Sequence, residues 1–129
     1  MGCFLRAGWN DGNNESWMFT EIYHSLSAGV SLTCHRWKRE NDNLGLAYVI
    51  SGISDAHSDY LRAGGKGFML GDGNLNYALE HLTELFYSAE LVKDHIYFTG
   101  AYQLLINPGY NLDRRGPVHI FSLRLHARI

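Results

Sequence analysis

An all-β fold of antiparallel strands is what this sequence predicts, on three observations. Its 129 residues are 13% aromatic and include 14 Gly against only 2 Pro, a mixture suited to strands joined by glycine-rich turns. Turn formers cluster at 10–14, 38–43, 55–76, 92–95 and 107–117, cutting the chain into pieces of strand length. The last piece alternates strictly: Phe121, Leu123, Leu125, Ala127 and Ile129 are apolar, while Ser122, Arg124, His126 and Arg128 between them are polar. A period of two over about ten residues gives a strand with hydrocarbon on one face and cations on the other. On a soluble sheet the apolar face packs on a core; on a membrane barrel it meets lipid and the arginines line water.

The other pieces repeat the pattern less cleanly. Cys3, Leu5, Ala7 and Trp9 oppose Arg6, Gly8 and Asn10; Trp17 to Tyr23 is mixed on both faces and is the weakest strand. Ala28, Val30, Leu32 and Cys34 alternate with Gly29, Ser31, Thr33 and His35, and Leu44, Leu46, Tyr48 and Ile50 with Gly45, Ala47, Val49 and Ser51. Phe98, Tyr102, Leu104 and Ile106 alternate with Thr99, Ala101, Gln103 and Leu105. Tyr77 to Leu91 is ambiguous, because Leu79, Leu82, Phe86 and Ala89 fit a helical stripe in a segment rich in Glu and Leu. Strands on either side tip it to strand, with Glu80, Glu84, Ser88 and Glu90 on one face. The expectation is about seven strands, with 55–76 as a long loop.

Composition removes several classes. With 46% apolar and 19% charged residues the chain is not a disordered one, and a net charge of −2 supplies no field for nucleic acid. No run of about 18 apolar residues exists, which excludes a spanning helix but not a spanning strand of about 9–11 residues. Met1 to Arg6 shows neither a secretory signal nor a myristoylation pattern.

Few residues point to chemistry. Glu80 and Glu84 would stand about 5–6 Å apart on a helix, near a retaining-glycosidase pair, but about 13 Å apart on a strand. The seven histidines show no metal-binding spacing, and Cys3 and Cys34 read as small packing residues. The glycine-rich run 64–73 misses the phosphate-cradle pattern, and Asp72-Gly73-Asn74 lacks the rest of a calcium loop. Neither a metal nor a cofactor is expected. What remains is a polar strand face with Arg6, Gln103, Arg124, His126 and Arg128, joined by Glu80 and Glu84, and aromatics such as Trp9, Trp17, Trp37 and Tyr110. Carboxylates and guanidinium groups bond sugar hydroxyls, and flat rings stack on the apolar faces of pyranoses.

Phe4-Leu5-Arg6-Ala7-Gly8-Trp9-Asn10-Asp11-Gly12, Trp17 through Glu21 and Ser25-Leu26-Ser27-Ala28-Gly29 resemble the carbohydrate-selective porin family of OprB type. So do Gly45-Leu46-Ala47-Tyr48, His57, Tyr60-Leu61, the 64–76 loop leading to Tyr77 and Glu80, then Tyr102-Gln103, Asn107-Pro108, Tyr110-Asn111, Asp113-Arg114, Gly116-Pro117, Arg124 and His126. The similarity stays in register over almost the whole chain. It departs at Ala101, where the family tends to be acidic, and at Ile129, where it tends to end in an aromatic.

The resemblance implies an antiparallel, up-and-down outer-membrane β-barrel with a water-filled lumen, passing sugars without catalysis. Such barrels have about 16 strands, so residues 1–129 are expected to be the C-terminal part of one barrel domain. Arg6, Glu80, Glu84, Gln103, Arg124 and His126 are the expected lumen residues, with Trp9, Trp17 and Tyr110 as sugar-stacking rings. The expected partners are small sugars, outer-membrane lipid and further copies of the full-length porin, and the expected location is the bacterial outer membrane. Two rivals stand beside this: a soluble β-sandwich that binds carbohydrate, and a small glycoside-acting enzyme using Glu80 and Glu84, which requires a helix over Tyr77 to Leu91.

Overall fold

A computed structural model describes residues 1–13, 21–35, 38–67 and 70–128. Six strands follow one another in chain order: β1 (Gly2–Trp9), β2 (His24–Thr33), β3 (Asn43–Gly52), β4 (Glu80–Val92), β5 (Ile96–Ile106) and β6 (Val118–Ala127). Each pairs antiparallel with the next, in one sheet of order β1-β2-β3-β4-β5-β6. The alternation seen in the sequence excludes a slip of one residue from this register, because such a slip would exchange the two faces. The seventh strand expected at Trp17 to Tyr23 falls mainly outside the described residues, and 21–23 carry no strand.

The ambiguous segment is a strand, the longest of the six. Ser51 faces Glu80 and Asn43 faces Ser88 on one side, while His81 faces Ile106 and Glu90 faces Tyr97 on the other. Ladder pairing on both sides outweighs the helix propensity of its Glu and Leu, worth only tenths of a kcal/mol per residue (roughly 0–0.7). The glycosidase reading loses its helix here.

Connections differ sharply between the two ends of the sheet. At one end, 34–42 joins β2 to β3 and 93–95 joins β4 to β5; at the other, 10–23, 53–79 and 107–117 bridge the remaining pairs. The short turns are tied locally. Asp42, almost fully buried, accepts from Arg39, from the Tyr87 hydroxyl and from the Glu90 N–H at 2.9 Å. Burial pushes the Asp42 carboxyl up, but these donors together hold it below the usual carboxylate range. Asp94 turns the next hairpin at φ 60°, its N–H donating to Glu90 Oε1 at 2.7 Å.

The long connections build the hydrophobic core. The 55–76 segment, expected as a loop, opens with helix α1 (Asp55–Arg62). Ser54 caps it, its Oγ accepting from the His57 N–H at 3.2 Å; Asp55 in the first turn and Arg62 in the last complement the helix dipole. Gly64, at φ 95°, ends it in a conformation that disfavours other residues. α1 buries Leu61 with Tyr23, Ile53, Leu75 and Tyr110, and Leu70 and Tyr77 pack around them. All five residues come from the connections and not from the strands.

No second sheet covers the first among the described residues. Leu46 on β3 and Leu85 on β4 are 47% and 46% exposed although both strands are central, and Leu123 on β6 is 76% exposed. A sandwich buries such positions, so the soluble-sandwich reading fails for this fold.

Candidate functional site

Register assigns every strand residue to a face, since directly paired residues point the same way. Even positions of β1, β4 and β6 share one face with odd positions of β2, β3 and β5. That face carries Arg6, Glu80, Glu84, Gln103, Arg124 and His126, with Ser and Thr between them. The opposite face carries no Asp, Glu, Lys or Arg in any strand. All six residues expected on the polar wall therefore lie on one side, though they are not all neighbours.

Glu84 and Gln103 are directly paired across β4 and β5, and the Gln103 amide donates to Glu84 Oε2. Next to them Phe86 lies over Gly45, its ring edge filling the place where a Cβ on that glycine would sit. Phe4 lies over Gly29 in the same way. A ring laid on a glycine fills the gap in the wall. Sequence reading passed over both rings because Phe86 fits an apolar helical stripe as well as a polar-face strand.

Arg124 and His126 belong to a second group near the short-turn end. Arg124 is paired with Thr99 and His126 with Tyr97; Thr99 donates to Ser88 Oγ at 3.0 Å and Tyr97 to Glu90 Oε1 at 3.3 Å. Ser88, Tyr97, Thr99, Arg124, His126 and Arg128 line one shallow depression. On this face Glu80, Glu84 and Glu90 stand on β4 and Arg124 on β6, two strand spacings (about 10 Å) across the sheet and offset along the strands, with no ionic side chain on β5 between them. Arg6 is apart from both groups, on β1 beside Ser27.

Glu80 is held by the loops. Its Oε2 accepts from the Gly109 N–H at 2.7 Å, in the 3-10 turn Pro108–Tyr110, which ties the 107–117 connection to the polar face. That connection is latched to the 55–76 segment by Arg114, whose Nε and Nη2 each reach the Asp72 carboxylate at 2.6 Å. Asn111, almost fully buried, donates to Asp72 and to the Asn74 carbonyl, and accepts from the Asp113 N–H at 3.0 Å. Hydrogen bonding to Arg114 holds the Asp72 carboxyl below its ordinary range and raises the guanidinium in turn. Of the oxygen donors at 72–74, the Asp72 carboxylate is taken by this arginine.

Two of the three expected stacking rings are corrected. Trp9 projects from the apolar face, 77% exposed and opposite to Arg6, because position 9 has the wrong parity for the polar wall. Tyr110 is 4% exposed within the loop core; burial pushes its phenol up to about 12 despite a bond with Ser51. Trp17 lies outside the described residues. Among the described residues no three His, Cys, Asp or Glu side chains are grouped to hold a metal ion.

One family model, described as carbohydrate-selective porin, OprB family, matches residues 1–128. Neither a curated protein sequence nor a solved structure matches the chain.

Proposed function

We propose that this chain, which belongs to the carbohydrate-selective porin family of OprB type, forms part of the wall of an outer-membrane pore through which sugars diffuse passively. The observation that carries the proposal is a single sheet with one charged face and one uncharged, exposed apolar face. Water favours the first and hydrocarbon the second, and only a barrel offers both while leaving no backbone group unpaired in lipid. β1 and β6 each have one neighbour among the described strands, so further strands must complete the barrel at both edges. Six strands closed on themselves would leave no lumen, since about eight already fill with side chains.

Glu84, Gln103 and Arg124 offer hydroxyl-bonding groups on the wall, and Phe86 beside Glu84 offers a ring for the apolar face of a sugar. Glu80 anchors the 107–117 connection over the pore mouth, where it narrows the opening together with the 55–76 segment. Long connections face outward in such barrels and short turns face the periplasm, which places this cap on the outside. Liposome swelling on the assembled pore tests the reading. Isosmotic hexose should enter faster than into protein-free vesicles, without saturating as a carrier would. Swelling at the protein-free rate with the protein inserted would remove the proposal.

A further inference from the structure

We propose that His81 and His119, on the lipid-facing side, bind the phosphate groups of lipid headgroups and set the outer edge of the membrane-embedded band. This rests on the barrel reading above. Three histidines stand on the apolar face, which is otherwise free of ionic side chains: His24, His81 and His119. His24 is paired with Gly52; His81 is paired with Ile50, two residues further from the long-connection end, and His119 with Leu104, two further again. Each step thus drops two residues along the strand for two strands across. With about 3.3 Å per residue and about 4.8 Å between strands, the line through them makes an angle of about 35° with the perpendicular to the strands.

Strands of membrane barrels tilt by about 35–45° from the barrel axis. A line at that angle is a circle around the barrel, at one depth in the membrane. The strand ends drop in the same sense: Trp9, His24 and Gly52 share one row, Glu80 begins one row lower, Ile106 ends two lower and Val118 begins three lower. Tyr48 and Tyr102 repeat the step, since Tyr48 is paired with Thr83 and Tyr102 with Leu85. The three histidines and two tyrosines therefore form two level rings at the long-connection side of the apolar band.

The hydrogen bonds give the ring its chemistry. Tyr48 meets His81 Nδ1 at 2.5 Å and Tyr102 meets His119 Nδ1 at 2.7 Å. In the tautomer that this inference requires, each phenol donates to Nδ1 and the ring proton lies on Nε2. Neither Nε2 has a hydrogen-bond partner among the described residues. A donor without a protein partner, at the depth where hydrocarbon gives way to headgroups, meets lipid phosphate oxygens as the available acceptors. His24 marks the same level but is already bonded through Nε2 to the Ile53 carbonyl at 2.7 Å, so it is not part of the phosphate-binding pair.

The test is solid-state NMR dephasing of ¹⁵N-histidine by ³¹P, on the assembled pore that contains this chain in phosphatidylglycerol vesicles, with protease protection of the strands as the reading of insertion. Phosphorus dephasing of imidazole Nε2 signals is expected, and its reduction in H81Q/H119Q, a variant that keeps the five other histidines of this chain. Protected protein without dephasing, or dephasing undiminished in H81Q/H119Q, overturns the inference alone. An assembled pore whose strands are unprotected overturns the barrel reading, and this inference with it.

Discussion

The cap over the strand ends should open without melting the sheet, and Leu61→Ala is the substitution that separates the two. Leu61 is 1% exposed and packs in a cluster that counts five buried side chains among the described residues, with Leu70 and Tyr77 at its margin. Truncating a buried leucine costs about 2–5 kcal/mol, rising with the cavity left behind. A cluster this small collapses more readily than a domain core, which puts the cost at the lower end, about 2–3 kcal/mol. At about 1.4 kcal/mol per factor of ten, the local opening constant rises by roughly 30- to 150-fold. The amides that report it are Ala63, bonded to the Asp59 carbonyl, Ala78, bonded to the Tyr110 carbonyl, and Leu112, bonded to the Asn76 carbonyl. Hydrogen exchange should accelerate at these positions by about that factor, while amides between β4 and β5 keep their rates. Equal acceleration in the strands would refute the argument, because cap and sheet would then be one cooperative unit.

Three further outcomes follow from the same geometry. Phe86→Ala should slow hexose entry in liposome swelling while ion conductance stays level or rises, since it removes a ring and widens the wall. Glu84→Gln removes a wall carboxylate beside Gln103, so reversal potentials under a salt gradient should shift toward anion preference. Asp72→Asn should weaken the latch to Arg114 by about 0.2–1 kcal/mol, the scale of a partly exposed ion pair. The sign with pH is fixed by the lowered carboxyl of Asp72: the latch is fully present above the ordinary aspartate value near 4 and is lost as pH falls through the lower folded one. Exchange at Leu112 in the native protein should therefore rise on acidification, and the D72N variant should lack the Asp72 contribution to that rise.

Much of the fold was legible because period-two alternation is a direct print of the sheet. β6 is the clearest case, and the face of each of its residues follows from parity alone. β4 was legible only through its neighbours, since Glu and Leu serve helices and polar-faced strands alike, and pairing partners distant in sequence decided it. Helix α1 was missed because it is only eight residues long and mostly polar, with Leu61 its one buried apolar side chain. Parity placed Arg6, Glu84 and Arg124 on one side, but it could not say that Glu84 meets Gln103 while Arg6 stands alone. The Asp72–Arg114 latch links residues 42 apart in sequence through loops without period. Trp9 shows the opposite lesson: its parity was already that of the apolar face, and its aromatic character alone had suggested sugar.

The central claim is that one face of this sheet meets lipid and the other meets water. It is tested most directly by spin labels placed singly at 121 to 126 in the inserted protein, scored for collision with oxygen and with a water-soluble nickel chelate. Positions 121, 123 and 125 should favour oxygen, and 122, 124 and 126 the nickel chelate, in strict alternation. Nickel access at all six positions, or alternation in the opposite phase, would contradict it.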